Sequence, residues 1–289
     1  MNNMSIFDYM YPKYKITKPI RLIELFSGYG SQALALKYLG VNFEHWKTCE
    51  WAVKSIQAYK DIHFTDDNND YSKEWKDEHL ISWLFEKGIS SNYNEPMKKE
   101  QIIKLGEEKR RNIFNNIYAT HNLVNIQQVK GKDLDIKDTD KYEYIMTYSF
   151  PCQDLSLAGK GKGMADTSTR SGMLWEVERI LNELKELNQL PQVLLIGLCQ
   201  TVDTGYHNSI RLLDKCRIRK LTPLECFRLM GVKDEDYYKI AKNQSNASLY
   251  HLAGDSLVTL VFCAIMSTMI DNCKSFEQVL EEFYLQISN

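Results

Sequence analysis

The chain has 289 residues, of which 44% are hydrophobic and 26% charged, and its formal net charge is −2. These values fit one large folded domain, with or without a small appendage, and exclude a disordered or fibrous chain. No apolar run of about eighteen residues and no basic leader is found, so we expect a cytoplasmic protein without a membrane span. The seven cysteines are scattered without CxxC spacing, which favours reduced thiols over disulfides or a metal site.

The first predicted unit is a strand, a glycine turn and a helix. Its three parts are residues 21–26, 27–30 and 31–39, and residues 1–20 before it are expected to form a tail. The turn reads Ser-Gly-Tyr-Gly, with glycines at Gly28 and Gly30. Glycines there keep the turn tight and let backbone N–H groups face a ligand at the start of the helix. A single GxG turn is weak evidence for such a site.

A second strand over residues 44–49 leads to Glu50 and Trp51. Nucleotide-binding folds place a carboxylate that accepts ribose hydroxyls at this distance after the glycine turn. Trp51 is able to stack on an adenine, although a core position is the commoner role for a tryptophan. Residues 52–130 then form a predicted helical insertion. Three roles of the insertion remain open: it could cover a cofactor, contact a partner or only support the structure.

A strand over residues 144–149 runs into Phe-Pro-Cys-Gln at 150–153 and then into a loop rich in glycine and lysine. Ligands bind beyond the carboxyl ends of parallel strands, so Cys152 is expected at a site rather than in the core. Pro151 fixes its own φ and keeps residue 150 extended, so the Cys152 thiol projects from a defined backbone conformation. An isolated cysteine is more often a small buried hydrophobe. A helix over 169–187 and a strand over 192–196 follow.

The last third of the chain contains two further recognisable stretches. Residues 217–231 predict a helix with Thr222 at the N-cap, Pro223 at N1 and Glu225 completing a capping box. Residues 253–258 read Ala-Gly-Asp-Ser-Leu-Val and precede an apolar helix over 257–270. A capped closing helix is expected after Ser275.

Taken in order, these stretches resemble motifs of the DNA (cytosine-5) methyltransferase family. The resemblance implies an α/β, Rossmann-like fold that depends on S-adenosylmethionine, with a mostly parallel sheet and helices on both faces. It also implies that the target-recognition domain is reduced or absent. The implied divisions are a tail at 1–20, a catalytic and cofactor-binding domain at 21–196 with an insertion at about 52–130, a recognition remnant at 197–216, and a closing part at 217–289.

The resemblance also implies roles for individual residues. Cys152 would be the catalytic nucleophile on cytosine in double-stranded DNA. The implied cofactor contacts are Phe26, Gly28, Gly30, Glu50, Trp51, Asp133, Leu134, Pro151, Asp255 and Ser256. The implied DNA contacts are Gln153, Ser156, Lys160 and Lys162. Asp255 stands where the family usually has asparagine, which keeps an oxygen acceptor and adds a charge.

Two family motifs are missing. After its fifth strand the family reads Glu-Asn-Val, and the glutamate acts at N3 of the cytosine. This chain reads Gly-Leu-Cys at 197–199 and has no carboxylate before Asp203. The Gln-x-Arg-x-Arg motif and most of the recognition region are also absent from 197–216. We therefore expect retained cofactor binding and slow or absent turnover.

Three other functions remain open. The chain could be a catalytically dead methyltransferase fold that binds DNA or regulates a partner. It could equally be half of a split enzyme that needs a complementing subunit. A nicotinamide oxidoreductase is least favoured, because it explains neither Pro-Cys-Gln at 151–153 nor residues 217–231.

Overall fold

The computed structural model describes residues 14–148, 173–196, 211–214 and 217–287. The strands are β1 Ile20–Leu25, β2 Phe43–Cys49, β3 Glu143–Tyr148, β4 Val193–Ile196, β5 Arg211–Asp214 and β6 Arg217–Lys220. The helices are α1 Ser31–Tyr38, α2 Val53–His63, α3 Asp77–Lys87, α4 Lys99–Ile103, α5 Glu107–Ala119, α6 Leu174–Glu186, α7 Pro223–Leu229, α8 Asp234–Ala241, α9 Asn246–Gly254, α10 Thr259–Met269 and α11 Phe276–Ile287.

The central sheet has four parallel strands in the order β2-β1-β3-β4. All six residues of β1 are buried, as expected for a strand with helices on both faces. The chain leaves β1 for β2 on one side and later returns to β3 on the other side. The order therefore reverses between β1 and β3, and a crevice is expected at their carboxyl ends. The predicted α/β fold with a mostly parallel sheet is confirmed.

The two faces of the sheet carry different helices, because successive residues of a strand point to opposite faces. Leu22 belongs to the core that contains α1, α7 and α10, whereas Ile23 belongs to the core that contains α6. In the described ranges, no single helix is long and apolar enough to cross a membrane. The bent pair α9 and α10 meets that criterion together, and Leu252 and Met266 of this pair lie in the first core.

The predicted cap of α7 is confirmed. Thr222 Oγ1 accepts a hydrogen bond from Glu225 N at 3.3 Å, and Glu225 Oε2 accepts one from Thr222 N at 2.7 Å. Gly231 follows the helix with a φ of 72°, a left-handed conformation that glycine adopts without a steric penalty.

The described part of the insertion contains helices, as predicted. Two of them, α4 and α5, are separated by Gly106 with a φ of 82°. Arg110 on α5 holds α3 through Asp77, with nitrogen–oxygen distances of 2.7 and 2.5 Å. The same guanidinium donates to the carbonyl of Ile103 in α4 at 2.8 Å. One buried arginine therefore ties three helices together.

Asp133, an implied cofactor contact, lies in the 3-10 turn Gly131–Leu134. Asp133 closes this turn by accepting from Lys130 N at 2.9 Å, and the Leu134 carbonyl accepts from the Trp46 indole at 2.8 Å. A single parallel bridge joins Asn122 to Thr48. Asn122 therefore lies beside β2.

A buried polar cluster lies on the α1 face of the sheet. Glu24 is 1% exposed and accepts hydrogen bonds from the Tyr59 hydroxyl at 2.6 Å and from Ala33 N at 3.3 Å. Burial raises the pKa of Glu24 to about 7. Burial also lowers the pKa of His45 to about 4 and that of His63 well below its usual value. These groups are therefore neutral in the folded protein near pH 6.

We expect Glu24→Gln to change how stability depends on pH. The pKa of Glu24 is about 7 in the folded protein and 4.5 in the unfolded chain. The stabilising contribution of Glu24 to the free energy of unfolding is therefore present below pH 4.5 and is lost as pH rises through 7. His45 and His63 have the opposite effect on the pH dependence, because their stabilising contribution to the free energy of unfolding is lost as pH falls below 6.5. Subtracting the free energy of unfolding of the variant from that of the wild type isolates the contribution of Glu24.

Urea unfolding at pH values from about 4.5 to 8 should show the variant gaining about 2–3 kcal/mol relative to the wild type across that interval. Glu86→Gln, on the exposed surface of α3, is the control for loss of a carboxylate outside the core. A pH-independent difference for Glu24→Gln would contradict the prediction.

Candidate functional site

The candidate site lies where the strand order reverses, at the carboxyl ends of β1 and β3. The turn after β1, the segment after β2 and the segment after α9 contribute the described part of it. Six predicted site residues lie outside the described residues: Pro151, Cys152, Gln153, Ser156, Lys160 and Lys162. Their predicted roles in catalysis, cofactor binding and DNA contact are untested by the structure.

The turn after β1 has left-handed backbone at Phe26 and Gly28, each with a φ of 55°, and at Gly30, with a φ of 81°. Ser27 N donates to the Cys49 carbonyl at 3.2 Å, which joins the turn to the end of β2. The Ser27 hydroxyl is buried and has no hydrogen-bond partner among the described residues. Because buried hydroxyls normally have partners, this group suits a polar ligand.

The two glycines serve different purposes. Gly28 N donates to Glu50 Oε2 at 3.1 Å, and Gly30 N donates to the Ser27 carbonyl at 2.8 Å. The N–H groups of Gly28 and Gly30 therefore both donate within the protein. A Cβ at Gly30 would stand 2.6 Å from the Tyr59 ring, so close packing is what requires this glycine.

Glu50 is held on several sides. Its carboxylate accepts from Gly28 N at 3.1 Å and from Ala52 N at 2.7 Å. Asn122 fixes its backbone: Glu50 N donates to Asn122 Oδ1 and Asn122 Nδ2 donates to the Glu50 carbonyl, both at 3.0 Å. Burial raises the pKa of Glu50 to about 7 against these backbone hydrogen bonds, and the charge of Asp255 adds to the rise. The oxygens are thus fixed acceptors beside the glycine turn.

Asp255 and Ser256 lie close to the glycine turn, as the sequence resemblance implies. Ser256 Oγ is 3.3 Å from the position that a Cβ on Gly28 would take, and it donates to the Leu252 carbonyl at 2.9 Å. Asp255 Oδ2 is 2.6 Å from His251 Nδ1. Two carboxylates, from Asp255 and Glu50, therefore share this part of the site.

Three other predicted contacts have their own structural partners. Trp51 is half-buried and packs on the core of the insertion beside Ile56 and Leu84, so its ring is only partly available to a ligand. Asp133 caps its own turn, and Leu134 is fully buried. No described hydrogen bond joins Asp133 or Leu134 to the glycine turn or to Glu50, and their cofactor role stays a prediction.

The described cysteines are unsuited to nucleophilic chemistry. Burial raises the pKa of the Cys226 thiol to about 11 and that of Cys263 to about 12, and it also raises the pKa values of Cys49 and Cys273. A thiol reacts as its thiolate, so these groups are inert near neutral pH. Among the described residues, no group of His, Cys, Asp and Glu side chains could hold a metal ion.

The sequence did not reveal Asn122, Tyr93 or His251 as parts of the site. Asn122 positions Glu50, and the Tyr93 ring stacks on His251 beside Asp255. Tyr93 lies in Ser-Ser-Asn-Tyr-Asn at 90–94, a composition that indicates only a turn. Contacts between distant segments carry no local sequence signal.

A family model described as C-5 cytosine-specific DNA methylase matches residues 102–197 and 197–271, together more than half of the chain. The two matched segments meet at Gly197, where the sequence lacks the Glu-Asn-Val motif.

Several curated proteins are similar to this chain. The orphan methyltransferase M.SssI of Spiroplasma monobiae is 37% identical over 190 residues, which are 62% of this chain and 46% of that protein. The type II methyltransferase M2.ScrFI of Lactococcus lactis subsp. cremoris is 32% identical over 169 residues, which are 57% of this chain and 44% of that protein. The orphan methyltransferase M.SPRI of Bacillus phage SPR is 47% identical over 57 residues, which are 19% of this chain and 13% of that protein. The matches to M.SssI and M2.ScrFI thus cover less than half the length of those two relatives.

Proposed function

The chain belongs to the C-5 cytosine-specific DNA methylase family, and on that premise we propose that it is a DNA (cytosine-5) methyltransferase with Cys152 as its nucleophile. The observation that carries the proposal is the fixed Glu50 carboxylate beside the glycine turn, at the point where the strand order reverses. β3 ends at the same edge of the sheet, and Cys152 follows its last residue, Tyr148, by four positions. Such an edge is where parallel sheets bind ligands.

S-adenosylmethionine is the methyl donor of this family, and when bound it supplies a methyl group on a positively charged sulfur. The described residues fit this molecule. Glu50 offers acceptors for ribose hydroxyls, and the Ser27 hydroxyl offers a buried polar group. The carboxylates of Glu50 and Asp255 favour a cation nearby. The accessible part of Trp51 suits an adenine ring.

Cys152 would act on a cytosine that has been turned out of the DNA stack, since the ring is shielded inside the duplex. The thiolate sulfur forms a bond to C6, and the electron pair of the C5–C6 double bond makes C5 nucleophilic. C5 would then bond to the methyl carbon as the bond from that carbon to the donor sulfur breaks, and the electron pair of that bond stays on sulfur in S-adenosylhomocysteine. A base removes the C5 proton, and the electrons of that C–H bond restore the double bond as the C6–S bond breaks. In this proposal Lys160 and Lys162 stabilise the thiolate and contact phosphate.

The missing glutamate limits this chemistry. Protonation of N3 as the sulfur adds is general acid catalysis, which is worth about 100- to 10,000-fold. The chain has Gly197 at that position, so we propose cofactor binding with slow turnover.

A second candidate is a split enzyme in which another chain supplies the acid and the recognition region. The meeting of the two family segments at Gly197 favours it. We propose that either form acts in the cytoplasm of a bacterial or phage-infected cell, as a DNA substrate requires.

Calorimetric titration of the full chain with S-adenosylmethionine tests the proposal. Saturable binding is expected. Folded protein that releases no heat and shows no thermal stabilisation with the cofactor would contradict it. Incubation with labelled cofactor and DNA, with and without a candidate second chain, separates a slow enzyme from half of a split one.

Glu50→Gln should weaken S-adenosylmethionine binding by about 10- to 100-fold, because an amide nitrogen replaces one of two fixed acceptor oxygens. Glu143→Gln is the matched control. Glu143 also accepts two backbone N–H groups, from Thr17 at 2.8 Å and Lys18 at 3.0 Å, but it begins β3 at the opposite end of the sheet. Equal losses of affinity in both variants would show that Glu50 acts only through the fold.

A further inference from the structure

The insertion reaches the candidate cofactor site through residues 90–95. Ser90 N donates to the Trp51 carbonyl at 2.7 Å, and Val53 N donates to the Ser90 carbonyl at 2.9 Å. The Ser90 hydroxyl accepts from Tyr93 N at 3.1 Å and donates to the Glu95 carbonyl at 2.7 Å. These bonds fasten the loop to the segment that directly follows the Glu50 carboxylate.

Tyr93 has an uncommon conformation within this loop. Its φ is 63°, a region that tyrosine rarely occupies and that surrounding contacts must hold. Its hydroxyl accepts a hydrogen bond from Ser55 Oγ at 3.3 Å. Its ring lies parallel to the His251 imidazole, with centroids 4.1 Å apart and planes 13° apart. The insertion is thereby stacked on α9.

His251 joins this stack to the two carboxylates of the site. Its Nδ1 is 2.6 Å from Asp255 Oδ2, one helical turn further along the chain. Burial raises the pKa of Tyr93, and the charges of Glu50 and Asp255 add to the rise. The charge of Asp255 also adds to the raised pKa of Glu50. Glu50, Tyr93, His251 and Asp255 therefore form one cluster, which we call the Tyr93 cluster.

We propose that Tyr93 is a positioning residue of the cofactor site, which holds His251 against Asp255 and so fixes a second carboxylate beside Glu50. This inference rests on the proposed function. Two fixed carboxylates favour a cation, so the site should prefer the sulfonium of S-adenosylmethionine over the uncharged thioether S-adenosylhomocysteine that remains after methyl transfer. The insertion thus contributes to the choice between substrate and product.

Calorimetry with both ligands on the full chain tests this inference. Tyr93→Ala should lower the preference for S-adenosylmethionine over S-adenosylhomocysteine by about three- to tenfold, since the aromatic pair is lost. Tyr93→Phe keeps the ring and should retain the wild-type ratio. Tyr118→Ala is the matched control, because Tyr118 stacks on Tyr71 within the same insertion, with centroids 5.4 Å apart.

Asp255→Asn should lower the same ratio, and adding Tyr93→Ala to it should lower the ratio no further, because Tyr93 acts through Asp255. Thermal unfolding of each variant identifies loss of fold, which changes the amount of active protein and not the ratio. Wild-type protein that binds neither ligand would overturn the proposed function as well. Normal binding by the wild type with an unchanged ratio in Tyr93→Ala would overturn this inference alone.

Discussion

Gly30→Ala should destabilise the protein by about 3–5 kcal/mol, because it combines a left-handed backbone cost with overlap in a packed core. The backbone at Gly30 has a φ of 81°, and an added Cβ would stand 2.6 Å from the Tyr59 ring and closer still to His63 Nε2. Neither ring can withdraw freely. Tyr59 donates to Glu24, and His63 Nε2 is 3.1 Å from the Tyr29 carbonyl oxygen.

Gly40→Ala provides the matched control, since Gly40 follows the other end of α1 with a φ of 72°. The nearest atom to its added Cβ is Lys274 Cε at 4.0 Å, so only the backbone cost of about 1–2 kcal/mol applies. Thermal unfolding should show a melting temperature lower by about 10 °C for Gly30→Ala and by a few degrees for the control. Equal effects in the two variants would contradict the packing explanation.

Local sequence patterns predicted the elements whose causes are local. β1 reads Ile-Arg-Leu-Ile-Glu-Leu, a mostly apolar run of strand length, and all six of its residues are buried. The α7 cap depends on Thr222 and Glu225, three residues apart, so the residue types alone identify it. Glu50 was found because its distance from the glycine turn is set by the strand, turn and helix between them.

Contacts across the fold could not be predicted in the same way. Asn122 positions Glu50 from a segment 72 residues away, and nothing in its neighbourhood marks that role. The turn at Gly131–Leu134 is fixed by a hydrogen bond from Trp46, which is distant in sequence. The reason for Gly30 is likewise a pair of rings on α2. Tertiary packing decided each of these cases.

Covalent trapping of DNA that contains 5-fluorocytosine tests the central claim, that Cys152 adds to a cytosine held beside the methyl donor. Fluorine at C5 leaves no proton to remove after methyl transfer, so the C6–S bond persists. Cys152→Ala should abolish the trapped complex while leaving S-adenosylmethionine binding within about twofold. Cys226→Ala is the matched control, because burial raises the pKa of that thiol to about 11.

Full-length protein should be incubated for hours with S-adenosylmethionine and 5-fluorocytosine DNA, since the absent acid slows addition. The adduct should then be mapped by mass spectrometry of the digested complex. We predict a DNA adduct on Cys152 in the wild type and in Cys226→Ala, and none in Cys152→Ala. Two results would contradict the account. One is an adduct that survives in Cys152→Ala, and the other is cofactor-saturated wild-type protein that forms no adduct either alone or with a complementing chain.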